Sequence, residues 1–184
     1  MTKSADLAKF IGNNEQNMKL LATVDATPGT STYEFTMDYD DYSEFIIIVD
    51  KVTGTSTSSS ENWDVKFKMD GTLDNSESTP YFCTNVVERA STVRNLNAAD
   101  NMEFFTGNLP TKEHSGIIHC VNFSNNDRRP QMYFHFGGES GGGDYGDQSG
   151  SAGIDVKSKQ VTAIRFAFTS GDVAVVKLKV YGVN

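Results

Sequence analysis

The sequence predicts an all-β protein, an antiparallel jelly-roll-type β-sandwich with a short N-terminal helix or arm, and three observations lead there. About eight to ten segments alternate apolar and polar residues, and turn residues recur between them at the spacing of sandwiches. Sixteen glycines and an aromatic content dominated by phenylalanine and tyrosine suit strands joined by tight turns. Beyond residues 4–12 almost nothing has a helical period.

Residues 4–12 predict a short helix. Ser4 suits the N-cap, Asp6 the positive first turn and Gly12 a left-handed C-terminal cap. Its apolar side is Leu7, Phe10 and Ile11. About two turns of helix do not hold themselves together in water, so these three residues are the expected docking points, on the rest of the chain or on a neighbouring subunit. The expected organisation is an N-terminal arm over residues 1–29 and a β-sandwich over 30–184.

Residues 18–24 predict a first strand, and Pro28-Gly29 turns the chain. Over 30–37, Tyr33, Phe35 and Met37 share one face, the pattern of a half-buried strand. An acidic turn precedes 44–50, whose unbroken apolar run predicts a central strand buried on both faces. The Thr/Ser-rich stretch within 51–61 is expected to be a mobile surface loop. Val65, Phe67 and Met69 then alternate with Lys66 and Lys68 up to an Asp70-Gly71 turn. Residues 81–87 predict another strand, whereas 88–101 show no steady period.

Residues 117–123 and 131–136 predict a strand pair, joined by a turn with Pro130 at a strand edge. The glycine-rich run 137–153 is expected to be loop. At the end of the chain, Ile164, Phe166 and Phe168 share one face, as do Val176, Leu178 and Val180, with Thr169-Ser170-Gly171-Asp172 between. That pattern predicts a C-terminal hairpin acting as a structural clasp.

A chain of 184 residues can bury a core without staples. Its two cysteines, Cys83 and Cys120, lie in apolar strands and read as small hydrophobes. The first residues lack a signal-peptide h-region and no run reaches the ~20 apolar residues of a membrane span, so synthesis in a cytoplasm is expected. A formal net charge of -8 opposes phosphate binding, and no nucleic-acid partner is expected.

Chemistry is sparse. His114, His119 and His135 lack the paired spacing of a zinc site. No nucleophile elbow or phosphate loop occurs, and among 24 acidic residues some carboxylate pair always exists, so pairs carry no information. No catalytic residue, metal or cofactor is expected. The glycine-rich run has three readings: a plain connection; a recognition surface with Tyr145 as a stacking platform and Asp144, Asp147 and Gln148 as hydrogen-bonding groups; or a calcium loop on Asp144 and Asp147, for which the spacing gives no support. A carbohydrate-binding module would instead line a groove with exposed aromatics, Trp63 or Tyr145.

The closing pattern, Ile164 to Phe168, Ser170-Gly171 and Tyr181-Gly182-Val183, resembles the C-terminal signature of tailed-bacteriophage virion proteins of the tail-fibre-like and head-decoration-like kind. Tyr33-Glu34-Phe35-Thr36, Asp41-Tyr42, residues 45–49, Asp70-Gly71 and Tyr81 are similar to further parts of that pattern. The resemblance implies a non-enzymatic virion component, a homo-oligomer such as a trimer, anchored to other virion proteins through its N-terminal arm. As a tail-fibre or receptor-recognising part it would take a host surface glycan as partner; capsid decoration is the alternative. The long glycine run and the Thr/Ser-rich insert depart from the pattern.

Overall fold

The computed structural model describes residues 18–37, 41–42, 44–57, 61–69, 72–73, 81–87, 92–99, 102–108, 111–124, 127–139, 145–154 and 160–183. These form β1 (Met18–Ala26), β2 (Thr32–Thr36), β3 (Glu44–Gly54), β4 (Glu61–Met69), β5 (Thr72–Leu73), β6 (Tyr81–Val87) and β7 (Thr92–Ala99). They continue with β8 (Met102–Asn108), β9 (His114–Val121), β10 (Gln131–Glu139), β11 (Tyr145–Ile154), β12 (Val161–Phe168) and β13 (Val173–Val183). No helix occurs among the described residues; the one predicted over 4–12, with Leu7, Phe10 and Ile11, lies outside them.

Every strand pairing among the described residues is antiparallel. An eight-stranded sheet runs β1-β13-β3-β9-β10-β11-β6-β7, and a smaller sheet runs β2-β12-β4-β5 with β8 also on β4. The chain pairs from the outside inward: β1 with β13, β2 with β12, β3 with β9 and β4 with β8. Two further pairings, β13 with β3 and β12 with β4, wrap this nested ribbon so that successive strands fall in alternate sheets. The hairpin of β10 and β11 and the pair of β6 and β7 extend the larger sheet beyond β9.

Period-2 patterning fills one core from both sheets. Phe45, Ile47 and Val49 of β3, Met132, Phe134 and Phe136 of β10 and Val176, Leu178 and Val180 of β13 meet Trp63, Val65 and Phe67 of β4 and Ile164, Phe166 and Phe168 of β12. Two aromatic contacts tie the smaller sheet to the rest of the core. Trp63 stands edge-on to Phe136 at 5.0 Å, and Phe67 edge-on to Phe123 at 5.0 Å, the geometry that ring quadrupoles favour. Cys120 is buried among these residues, and burial pushes its thiol well above its ordinary range, so it stays neutral and packs as a hydrophobe.

Five expectations change. β12 and β13 do not form a hairpin, because they lie in different sheets. The turn between them is a corner: Asp172 exchanges hydrogen bonds with Thr55, and Val173 with Gly29 and Thr30. Gly171 there takes φ 75°, which glycine adopts without a steric cost. The strand that closes the chain is held instead between β1 and β3. β1, assigned by sequence to the arm, is thus an edge strand of the larger sheet.

The glycine-rich run is not a loop either. Tyr145–Ile154 is β11, paired with β10 on one side and β6 on the other. Backbone partners on both edges override the weak intrinsic preference of Gly and Ser for strands. The stretch 51–61, expected as a surface loop, likewise begins as strand, since β3 continues to Gly54 with Val52 and Thr53 buried. Finally, the run 44–50 is central but buried on one face only: Ile46 and Ile48 are half-buried on the side away from the core. The aperiodic stretch contains β7, an outer strand paired with β6.

Gly182 is buried on β13 opposite Phe45, and the Tyr42 ring lies against the space a side chain would fill. A Cβ at this position would overlap that ring. Gly182→Ala is therefore expected to destabilise by about 1–3 kcal/mol, the usual range for overpacking. Tyr42 is half-buried, so the ring has room to yield. A double-mutant cycle with Tyr42→Ala, read by urea denaturation, should show a coupling that cancels much of this cost; strictly additive effects would mean the two groups do not share the space.

Candidate functional site

The face of the larger sheet that points away from the core holds the most distinctive cluster of exposed side chains. Strand register assembles it. One row runs Tyr181, Ile46, His119, Tyr133, Ser151 across β13, β3, β9, β10 and β11; the next runs Lys179, Ile48, Ile117, His135, Ser149. Alternation turns these residues outward because their chain neighbours, including Phe45, Ile47, Ile118, Cys120, Met132 and Phe134, are in the core.

Tyr133 is the centre of the cluster and is 49% exposed, although it is a large aromatic in the middle of a sheet. Its hydroxyl donates to Gln131 Oε1 at 3.2 Å, and its ring lies 6.4 Å from the His119 ring at 46°. His119 Nε2 lies 2.9 Å from Glu44 Oε2. With side chains 42% and 40% exposed, that pair is screened by water and free to exchange partners. The cluster therefore offers a flat ring, a carboxylate, an imidazole and an amide within neighbouring strands.

Beside it, β11 is low. Its outward positions next to Gln131, Tyr133 and His135 are Gly153, Ser151 and Ser149. Short side chains there make β11 lower than the neighbouring Tyr133 and His135 positions of β10. Glycine within a strand commonly marks a place where another group approaches the backbone closely.

Sequence reasoning placed the candidate residues differently. Leu7, Phe10, Ile11 and Asp144 lie outside the described residues. Tyr145, Asp147 and Gln148 belong to β11, opposite Glu139, Gly137 and Phe136 of β10. They are thus strand positions in a ladder and not the tip of a loop. Tyr145 and Asp147 share the register of Ser149 and Ser151, while Gln148 takes the intervening register. Trp63 cannot line a surface groove, because it is 2% exposed and packs against Phe136 and Phe166. Its position continues the inward alternation of Val65, Phe67 and Met69.

Of the histidines, His114 is buried whereas His119 and His135 lie on the outward face. No group of three or more His, Cys, Asp or Glu side chains among the described residues is placed to hold a metal ion. The cluster around Tyr133 was not singled out from sequence, since Gln131-Met132-Tyr133-Phe134-His135-Phe136 is bulky on both faces. The signal that could have found it is the alternation itself, once Met132, Phe134 and Phe136 are set inward. Compared with known proteins, the chain matches no family model, no curated protein and no solved structure.

Proposed function

We propose that this chain is a non-enzymatic structural protein of a tailed-bacteriophage virion, a jelly roll displayed in several copies as a tail-fibre-type or receptor-recognising component. The nested pairing is the observation that carries the reading. β1 pairs with β13, β2 with β12, β3 with β9 and β4 with β8, a nesting that supports the jelly-roll reading, an architecture that recurs in viral capsid and lectin domains. Fold alone does not name a function. The residues that carry the family resemblance lie on this frame: residues 33–36 on β2, 45–49 on β3 and 181–183 on β13, with Tyr42 of one motif lying on Gly182 of another.

Residues 1–17, through Leu7, Phe10 and Ile11, anchor the subunit to other virion proteins or to neighbouring copies. The protein acts by multivalent display, in which several weak sites held together gain orders of magnitude in avidity without new contacts. Capsid decoration is the second reading, with the same arm seated on a head lattice.

The test is location. Antibodies against the chain, used in immunogold microscopy of particles from the phage that encodes it, should label tails; label on tail-less heads supports decoration, and purified particles free of the protein overturn both. Light scattering of the full chain beside a truncation starting at Met18 then tests the arm, which should be needed for the oligomer. Truncation at Thr30 is unsuitable, since it removes β1 from the sheet.

A further inference from the structure

We propose that residues 4–12, through Leu7, Phe10 and Ile11, cover the outward face of the larger sheet of their own chain. The proposal concerns the unassembled subunit and goes beyond the anchoring role given to these residues above, which then begins with their leaving this face.

The two outward faces of the protein differ in kind. On the smaller sheet, Glu34, Arg165 and Lys66 stand side by side across β2, β12 and β4, and Lys68 lies 2.9 Å from Glu34, an ordinary solvated surface. On the larger sheet, register sets Leu20 beside Tyr181 and Ile46 across β1, β13 and β3. Ile48 lies beside Ile117 of β9 in the next outward row, and Met18 beside Val183 in the row on the other side. Met18, Leu20 and Ile117 are 40%, 49% and 44% exposed, and Ile46, Ile48, Tyr181 and Val183 are half-buried although they point away from the core. A contiguous apolar patch of this kind marks a surface that something covers.

Charge and size select what covers it. The charged groups around the patch have partners already: Glu44 with His119, Asp50 with Lys179, Asp25 with Lys177 and Lys51 with Glu113. His135 and the position of Asp147 lie beyond β9, on β10 and β11. The patch therefore asks for apolar contact and not for a counter-charge. Four strands, from β1 to β9, spaced about 4.8 Å apart and with outward rows about 7 Å apart, give it about 20 by 14 Å, or about 280 Å² in plan. A stable interface between two proteins takes about 800 Å² from each, well above this even with surface relief allowed for, so the patch alone does not hold a second copy of the sheet. A two-turn helix, about 13 Å long and about 10 Å across, fits within it.

The N-terminal segment has the matching shape and starts in the right place. Leu7, Phe10 and Ile11 stand at i, i+3 and i+4, the spacing of one helix side, and such a short helix needs a surface to form on. Residues 13–17 separate it from Met18, which is itself on the patch. Those five residues span at most about 17 Å. β3 and β9 lie about 10 and 14 Å from β1, so the segment comes within reach of Ile46, Ile48 and Ile117. A tether this short holds the segment at an effective concentration of about a millimolar beside its own sheet, which the arm of another copy does not match in dilute solution.

The experiment is NMR on the full-length protein, isotope-labelled and dilute. Nuclear Overhauser contacts should join the Phe10 ring to methyl groups of Ile46, Ile48 or Ile117, and should keep their strength per labelled chain when a large excess of unlabelled chain is mixed in. Phe10→Asp should abolish them, shift amides of β1, β13, β3 and β9 alone, and raise the fluorescence of the apolar dye ANS several-fold. Ile117→Lys, a change at an exposed position, should also abolish them; an unchanged amide spectrum elsewhere shows that each variant is folded. Absence of the contacts in the folded chain, shifts centred on the smaller sheet, or unchanged dye fluorescence in Phe10→Asp overturns the proposal. Contacts that vanish on mixing with unlabelled chain overturn it as well, since they give the face to a neighbour's arm. None of these outcomes bears on whether antibodies label phage particles, so the virion reading stands or falls separately.

Discussion

Phe123→Ala is expected to destabilise the protein by about 3–5 kcal/mol, the cost of emptying a buried aromatic site. Phe123 is not part of a strand; it lies in the turn after β9 and is nonetheless 1% exposed. Its ring stands 6.2 Å from Phe45 of the larger sheet and 5.0 Å from Phe67 of the smaller one. Its carbonyl accepts from Val161 N at 3.0 Å, where β12 begins. A single side chain thus closes one end of the core between the sheets, and the strands around it leave little freedom for collapse into the cavity. Denaturation in urea should show a lower midpoint at unchanged slope, because the surface exposed on unfolding is nearly the same. Phe123→Leu should cost clearly less. Equal losses for the two variants would show that the turn, and not ring packing, is what matters.

The second large effect is expected at Gly116, where alanine should cost at least the upper end of the about 1–3 kcal/mol typical of overpacking. Gly116 lies on β9 opposite Phe136 of β10 and Val49 of β3. A Cβ there would run into the backbone carbonyl of His135 and come within 2.8 Å of Phe136 Cγ. The carbonyl belongs to a strand paired on both sides, so it cannot retreat without opening the ladder. This separates Gly116 from Gly182, where a half-buried ring is the obstacle. Adding Phe136→Leu to Gly116→Ala should therefore recover little stability, as measured by thermal or urea unfolding. Full recovery would place the conflict in the ring and remove the backbone argument. Because Tyr133 and His119 are held by the same pair of strands, the variant should also disturb the outward cluster.

Both residues show what could be read from sequence and what could not. Alternation correctly assigned the inward sides of β2, β4, β12 and β13, because hydrophobic period depends on nearby residues alone. It could not assign partners. Residues 161–168 and 173–183 alternate as a hairpin would, whereas their pairings and the hydrogen bonds of Asp172 and Val173 to residues 29–30 and 55 show the chain turning from one sheet into the other. β11 was illegible for a related reason: Gly150, Ser151 and Gly153 have little preference of their own, and the strand exists because β10 and β6 offer ladders on either side. Of the candidate site, the expectation of an exposed aromatic beside hydrogen-bonding groups pointed to Trp63 or Tyr145, yet Trp63 is in the core. Tyr133, one strand away from Tyr145, has the described exposure, and register rather than composition brings it beside His119 and Glu44.

The pairing of Met18 with Val183 has a kinetic consequence. Contacts between the first and last strands reward the chain only after nearly its whole length has been brought together, and topologies dominated by such contacts fold in milliseconds to seconds, not microseconds. During synthesis β1 and β3 must wait with open edges, one strand's width apart, for β13 to arrive between them. Edges of that kind invite foreign strands. The sheet is therefore most prone to take up a foreign strand while β13 is missing from it, and shortening this eleven-residue strand should harm yield in the cell more than its share of the core would suggest.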